Sequence, residues 1–136
     1  MGVKNYLSVI AVLLLTFGTA MGEEVNRAAA TLGDDGVQRV DVVGGSYFYK
    51  PDHIVLKLNT PVELTASKES GIVPHDIVAN FPEAGIEFQE SLSSTPKVIR
   101  FTPTKVGTYP FFCSKDVPFF KSHREKGMEG VFEVVP

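Results

Sequence analysis

The stretch FTPTKVGTYPFFCSKDVPFFKSHREKGMEGVFEVV, residues 101–135, decides how the chain is read. It starts on an apolar strand end at Phe101, turns through Pro103 and Gly107, and runs as an aromatic strand over 108–112 into Cys113. A second strand-like run closes it over 131–135. Between these strands lie the only cysteine, Cys113, one of three histidines, His123, and one of three methionines, Met128. Thiolate, imidazole and thioether are a soft donor set suited to copper. A fourth candidate donor, His75, stands upstream beside Asp76.

Outward from this stretch the pattern is one of short strands. Ile54, Leu56 and Leu58 recur at every second residue, and so do Val62, Leu64 and Ala66, which gives each run one apolar face. Asn59-Thr60 between them reads as a tight connection. Further strands are predicted over 37–43 before Gly44-Gly45, over 72–79 around His75, and over 97–101. Residues 80–96, broken by Pro82, Gly85 and a polar cluster, read as the longest irregular region. Seven or eight such strands, with no internal repeat and no long amphipathic helix, predict an all-β chain folded as a two-sheet β-sandwich.

Length and charge narrow the rest. The 136 residues suffice for one core, and a formal net charge of -3 does not suit a nucleic-acid binder. Lys4, the apolar run over 6–17 and the small residues Ala20 and Gly22 read as a cleaved signal peptide over 1–22, which implies a periplasmic or otherwise exported protein. Residues 23–36 read as a flexible leader and 37–136 as the folded domain. A single cysteine cannot form an intramolecular disulfide, and a free thiol in an oxidising compartment calls for burial or metal.

From about Val40 onward the chain resembles the cupredoxins, the plastocyanin and azurin family of Greek-key β-sandwiches. The resemblance is carried by Tyr47-Phe48-Tyr49-Lys50-Pro51, Pro74-His75-Asp76, Phe101-Thr102-Pro103 with Gly107-Thr108-Tyr109, Phe112-Cys113 and Gly127-Met128, in that order. It implies a mononuclear type 1 copper site with His75, Cys113 and His123 as strong ligands and Met128 as a weak axial one. Read one at a time, the residues leave other roles open: His75 as a strand-end histidine, His123 as a solvated side chain, Met128 as core filler.

Two departures from the family pattern matter. Nine residues, 114–122, separate Cys113 from His123, where plastocyanins and azurins place only a few. So long a loop must fold back on itself, and Pro118 and Gly127 suggest a short helical segment within it, with Phe119 and Phe120 capping the site against water. A two-copper centre like that of cytochrome oxidase subunit II is disfavoured, because Val117 stands where its second cysteine would be. Asp76 is expected to fix the His75 loop by hydrogen bonds, and His53 to be an ordinary surface residue.

The function these features imply is a one-electron carrier outside the cytoplasm, monomeric and not an enzyme. The alternatives are a copper buffer or carrier, and a copper-free interaction module. Lys115, Lys121, Arg124 and Lys126 outnumber Asp116 and Glu125 around the expected site, which suits a redox protein partner with an acidic docking face.

Overall fold

Alternation gives strands such as 53–57, 62–68 and 129–135 one face for a shared core and one turned outward, and the strands gather into two sheets. The computed structural model describes residues 26–136, so the expected signal peptide lies outside the described residues. One sheet has six strands, in the order β1 (Arg27–Ala29), β5 (His53–Lys57), β11 (Glu129–Val135), β10 (Gly107–Phe112), β7 (His75–Phe81) and β8 (Ile86–Leu92). The other runs β2 (Thr31–Leu32), β3 (Gln38–Gly45), β6 (Val62–Lys68), β9 (Lys97–Phe101), with β4 (Phe48–Lys50) paired to β3. Eight of these strands have five or more residues, the upper number expected, and β1, β2 and β4 are short additions.

The core is aromatic at its centre and aliphatic around it. Phe111 and Phe132 are fully buried with ring centroids 4.6 Å apart, and Ile54, Leu56, Leu64 and Ile77 close around them. Gly130 stands opposite Phe111, and a Cβ there would overlap the Phe111 ring, so the pairing demands glycine. Tyr109 donates its hydroxyl to the Lys105 carbonyl at 2.9 Å, closing the turn that feeds β10.

Register places the donors at one end of the sandwich. Phe112 at the end of β10 pairs with Glu129 at the start of β11, so the segment 113–128 leaves and returns at the same edge. Phe112 also pairs with Val78 of β7, which runs antiparallel to β10, and this sets His75 beyond Phe112 at that same end.

Three expectations change. Residues 80–96 are not irregular: a 3-10 turn over Pro82–Ala84 leads into β8, which pairs with β7 along its whole length. Ile86 and Phe88 alternate with Glu87 and Gln89, but polar residues on an edge strand and the flanking Pro82 and Gly85 mask the signal. The leader is not wholly detached, since β1 pairs in parallel with β5 and β2 with β3. The short Asn59-Thr60 connection is not a hairpin; it carries the chain from one sheet to the other, with Asn59 in the left-handed region at φ 53°.

Candidate metal centre

The end of β10, the start of β7 and the loop before β11 bring three donors into contact. Nδ1 of His75 lies 3.2 Å from Nδ1 of His123, and the Cys113 sulfur lies 3.9 Å and 3.5 Å from them. All three residues are buried, as is Met128, which is fully enclosed and would touch a Cβ at Gly44 with its terminal methyl. Backbone bonds lock Met128 to the set: its N–H donates to the His123 carbonyl at 3.0 Å and its carbonyl accepts from the Cys113 N–H at 3.1 Å.

The donor triangle tests the fit to a metal. A point equidistant from the two nitrogens and the sulfur lies about 2.1 Å from each, near metal–imidazole bonds of about 2.0–2.1 Å and slightly inside a metal–thiolate bond of about 2.3 Å. The three atoms face one another at hydrogen-bonding distances, so each has a partner without a metal, and the same convergence presents three donors to a single ion. One thiolate, two imidazoles and a nearby thioether form a cluster suited to one copper ion.

Electrostatics prepare the set. Burial holds His75 below its ordinary 6.5, helped by the neighbouring His123 and Lys68, and burial with Lys126 lowers His123. Both imidazoles are thereby kept neutral with lone pairs free. Burial pushes the Cys113 thiol up, while the nearby backbone at Asp76 and Lys115 pulls the other way. Metal binding would release the thiol proton.

The nine-residue insertion is accommodated by folding back. The His123 N–H donates to the Lys115 carbonyl at 2.9 Å, so residues 116–122 bulge outward without separating Cys113 from His123. Val117 to Phe120 form a turn closed by a 3.0 Å bond. A second turn over 123–127 starts at Ser122, whose side chain and that of Glu125 bond reciprocally to each other's backbone N–H, a capping box. Gly127 ends it at φ 100°. The helical character expected in this loop is therefore minor, one turn beginning at Ser122 rather than at Pro118.

Phe119 and Phe120 do not cap the site. They are 104% and 72% exposed. Tyr47 takes that position instead, with its ring edge-on to His123 at 5.1 Å and to His75 at 6.2 Å between centroids. Lys126 lies 4.3 Å over the Tyr47 ring and donates to its hydroxyl at 3.3 Å. Sequence reading passed over this cap, because nothing in Gly45-Ser46-Tyr47 shows that a two-residue hairpin connection between β3 and β4 turns the ring over the donors. The Asp76 expectation is met in an unforeseen way: the carboxylate bonds Ser114, next to Cys113, and the Asp76 carbonyl accepts from the buried Tyr49 hydroxyl at 2.6 Å. His53 lies apart from the centre, half-buried, with Nε2 2.6 Å from Glu133.

No protein-family model and no curated protein sequence matches the chain. Solved structures do. The metal-binding domain of the Cu(I)-exporting P-type ATPase CopA of Streptococcus pneumoniae D39, solved with Cu(I), is 27% identical with a TM-score of 0.61, over 82% of this chain and 98% of that one. A copper-binding protein solved in its apo form is 23% identical with a TM-score of 0.58, over 79% and 96%. Reduced auracyanin from the photosynthetic bacterium Roseiflexus castenholzii is 20% identical with a TM-score of 0.58, over 72% and 97%. The fold is cupredoxin-like, and among the described residues no helix is long and apolar enough to cross a membrane.

Proposed function

We propose that this chain is a mononuclear copper protein acting as a one-electron carrier outside the cytoplasm, monomeric, with His75, Cys113, His123 and Met128 holding the metal. The observation that carries the reading is the convergence of two Nδ1 atoms and one sulfur within 3.9 Å of one another, at a buried point on a rigid sandwich. Copper, when bound, supplies a one-electron couple. The chain's own residues do the rest. β7 and β10 hold His75 and Cys113 on strand ends, which limits rearrangement between oxidation states. The Met128–His123 and Cys113–Met128 backbone bonds fix the loop donors. Tyr47 and the surrounding core keep water out.

A copper-handling role is the second reading, favoured by the similarity to the metal-binding domain of a Cu(I) exporter. Burial speaks for the first reading: His75 is 5% and His123 3% exposed, so handing the ion to another protein requires the cap to open. The basic residues Lys115 and Lys121 on the loop suit an acidic redox partner, and a rate of electron transfer that does not vary with ionic strength would remove that element.

The test is an optical spectrum of the copper-loaded protein beside a Cys113→Ser variant. An intense thiolate-to-copper band, absent in the variant, is the expected result. Failure to take up stoichiometric copper would overturn the proposal.

A further inference from the structure

Phe119 and Phe120 stand on the outer turn of the loop between Cys113 and His123, and the Phe120 N–H closes that turn on the Val117 carbonyl at 3.0 Å. Phe119, its third residue at φ 70°, is fully exposed, and Val117 and Phe120 are exposed with it. A second apolar tip lies on the loop entering β7, where Ile72 is fully exposed and Val73 exposed. One loop leads straight into His75 and the other contains His123, and these two donors are 3.2 Å apart, so both tips stand at the metal end of the sandwich. Exposed large apolar side chains gathered at one end mark a contact surface.

Charge selects the occupant. Between Ser114 and Met128 the cations Lys115, Lys121, Arg124 and Lys126 stand against Asp116 and Glu125, whereas the whole chain carries -3. Among the described residues only Arg124 of these four is in a salt bridge, with Glu129. The second tip has a cation beside it too: Lys68 donates to the Gly71 carbonyl at 2.7 Å, next to Ile72, with Glu69 as the acidic neighbour. Protein interfaces are built around apolar side chains packed into a buried centre. Here the rings project from the tips of turns, with lysines flanking them, and that form fits lipid, whose acyl boundary takes rings and whose headgroups take ammonium groups.

We infer that the metal end of this chain docks on an anionic membrane surface, with Phe119, Phe120 and Ile72 seated at the boundary of headgroups and acyl chains and Lys115 and Lys121 facing the lipid phosphates. The inference goes beyond the copper reading and does not depend on it, since none of these side chains is a candidate metal donor. Docking in this orientation sets the His75 and His123 end toward the bilayer.

The chain has no tryptophan, so Phe119→Trp places a single indole at the tip. With vesicles of phosphatidylcholine and phosphatidylglycerol its emission should move to shorter wavelength. Flotation of the exported chain with the same vesicles gives the affinity. Phe119→Ser combined with Phe120→Ser should weaken binding at least about tenfold, and Ile72→Ser by a smaller factor. Lys115→Gln and Lys121→Gln should each weaken it about fivefold, and vesicles of phosphatidylcholine alone should bind less than the anionic ones. The apolar side chains replaced are exposed, and melting of each variant shows that it folds. An indole emission unmoved by anionic vesicles in a folded Phe119→Trp variant would overturn the inference and leave the tips to a protein partner. Vesicle binding undiminished by the serine variants would overturn it as well, because another part of the chain would then hold the lipid. Equal binding to both kinds of vesicle would overturn the assignment of an anionic surface.

Discussion

Tyr47 is held at φ 64°, a conformation costing a residue with a Cβ about 1–2 kcal/mol, and the return is a ring set edge-on against both imidazoles. Such aromatic contacts are worth about 0.5–1.5 kcal/mol each. Tyr47→Ala should therefore leave the spectrum of the loaded protein in place but speed copper loss to a chelator by about tenfold, which corresponds to about 1.4 kcal/mol. Tyr47→Phe keeps the ring and the Lys126 cation–π contact and loses only the hydroxyl bond, so its release rate should stay near wild type. Equal release rates for wild type and Tyr47→Ala would show that the ring does not protect the centre. The four candidate donors were legible in the sequence because one cysteine, three histidines and three methionines leave few combinations, and the order of the cupredoxin-like motifs chooses among them. Tyr47 and the Asp76–Ser114 bond were not, since tyrosine, aspartate and serine are common and their part depends on contacts between segments far apart in the chain.

The loop from Cys113 to Met128 holds two turns with opposite fit to their residues. Its second turn has matched capping groups, and Glu125 is held below its ordinary 4.5 by the Ser122 N–H and hydroxyl. Ser122→Ala should lower stability by about 1 kcal/mol, read from thermal melting. The first turn is mismatched: it has Pro118 at its second position, but its third holds Phe119 at φ 70°, where glycine is preferred. Phe119→Gly removes strain of about 1–2 kcal/mol against a backbone-entropy cost of about 0.5–1 kcal/mol, so a net gain of about 0.5–1 kcal/mol is expected. Because Phe119 is fully exposed, no packing is lost. A lower melting temperature in this variant would show that the ring makes stabilising contacts. Strands with clean alternation, such as β5 and β6, were readable from sequence, whereas β8 was not, and neither was the sheet to which each strand belongs. Pairing partners such as β5 with β11 lie over 70 residues apart, and no local pattern encodes them.

The whole molecule without metal should be most stable between about pH 6.5 and 9, and the signs follow from the buried donors. His75 and His123 are lowered on folding, so below 6.5 the unfolded chain binds more protons than the folded one, and stability falls with pH. Cys113 is raised from 9.0, so above 9.0 the unfolded chain releases its proton first, and stability falls again as pH rises. The exposed carboxylates Glu125 and Glu133, held below 4.5 by hydrogen bonds from Ser122 and from Arg27 with His53, add a separate loss only under more acid conditions. Melting curves of the apo protein should show the first limb, and replacing both histidines by glutamine should flatten it between about pH 6.5 and 4.5. Copper couples to the same groups. Between about pH 6.5 and 9 the imidazoles are neutral and the thiol is protonated, so each ion bound through Cys113 displaces one proton, and apparent affinity should rise about tenfold per pH unit. Cys113→Ser removes that dependence together with most of the affinity. A pH-independent affinity in the wild type would mean that the Cys113 sulfur does not enter the metal's coordination, and the centre would then have to be rebuilt from the two histidines and Met128.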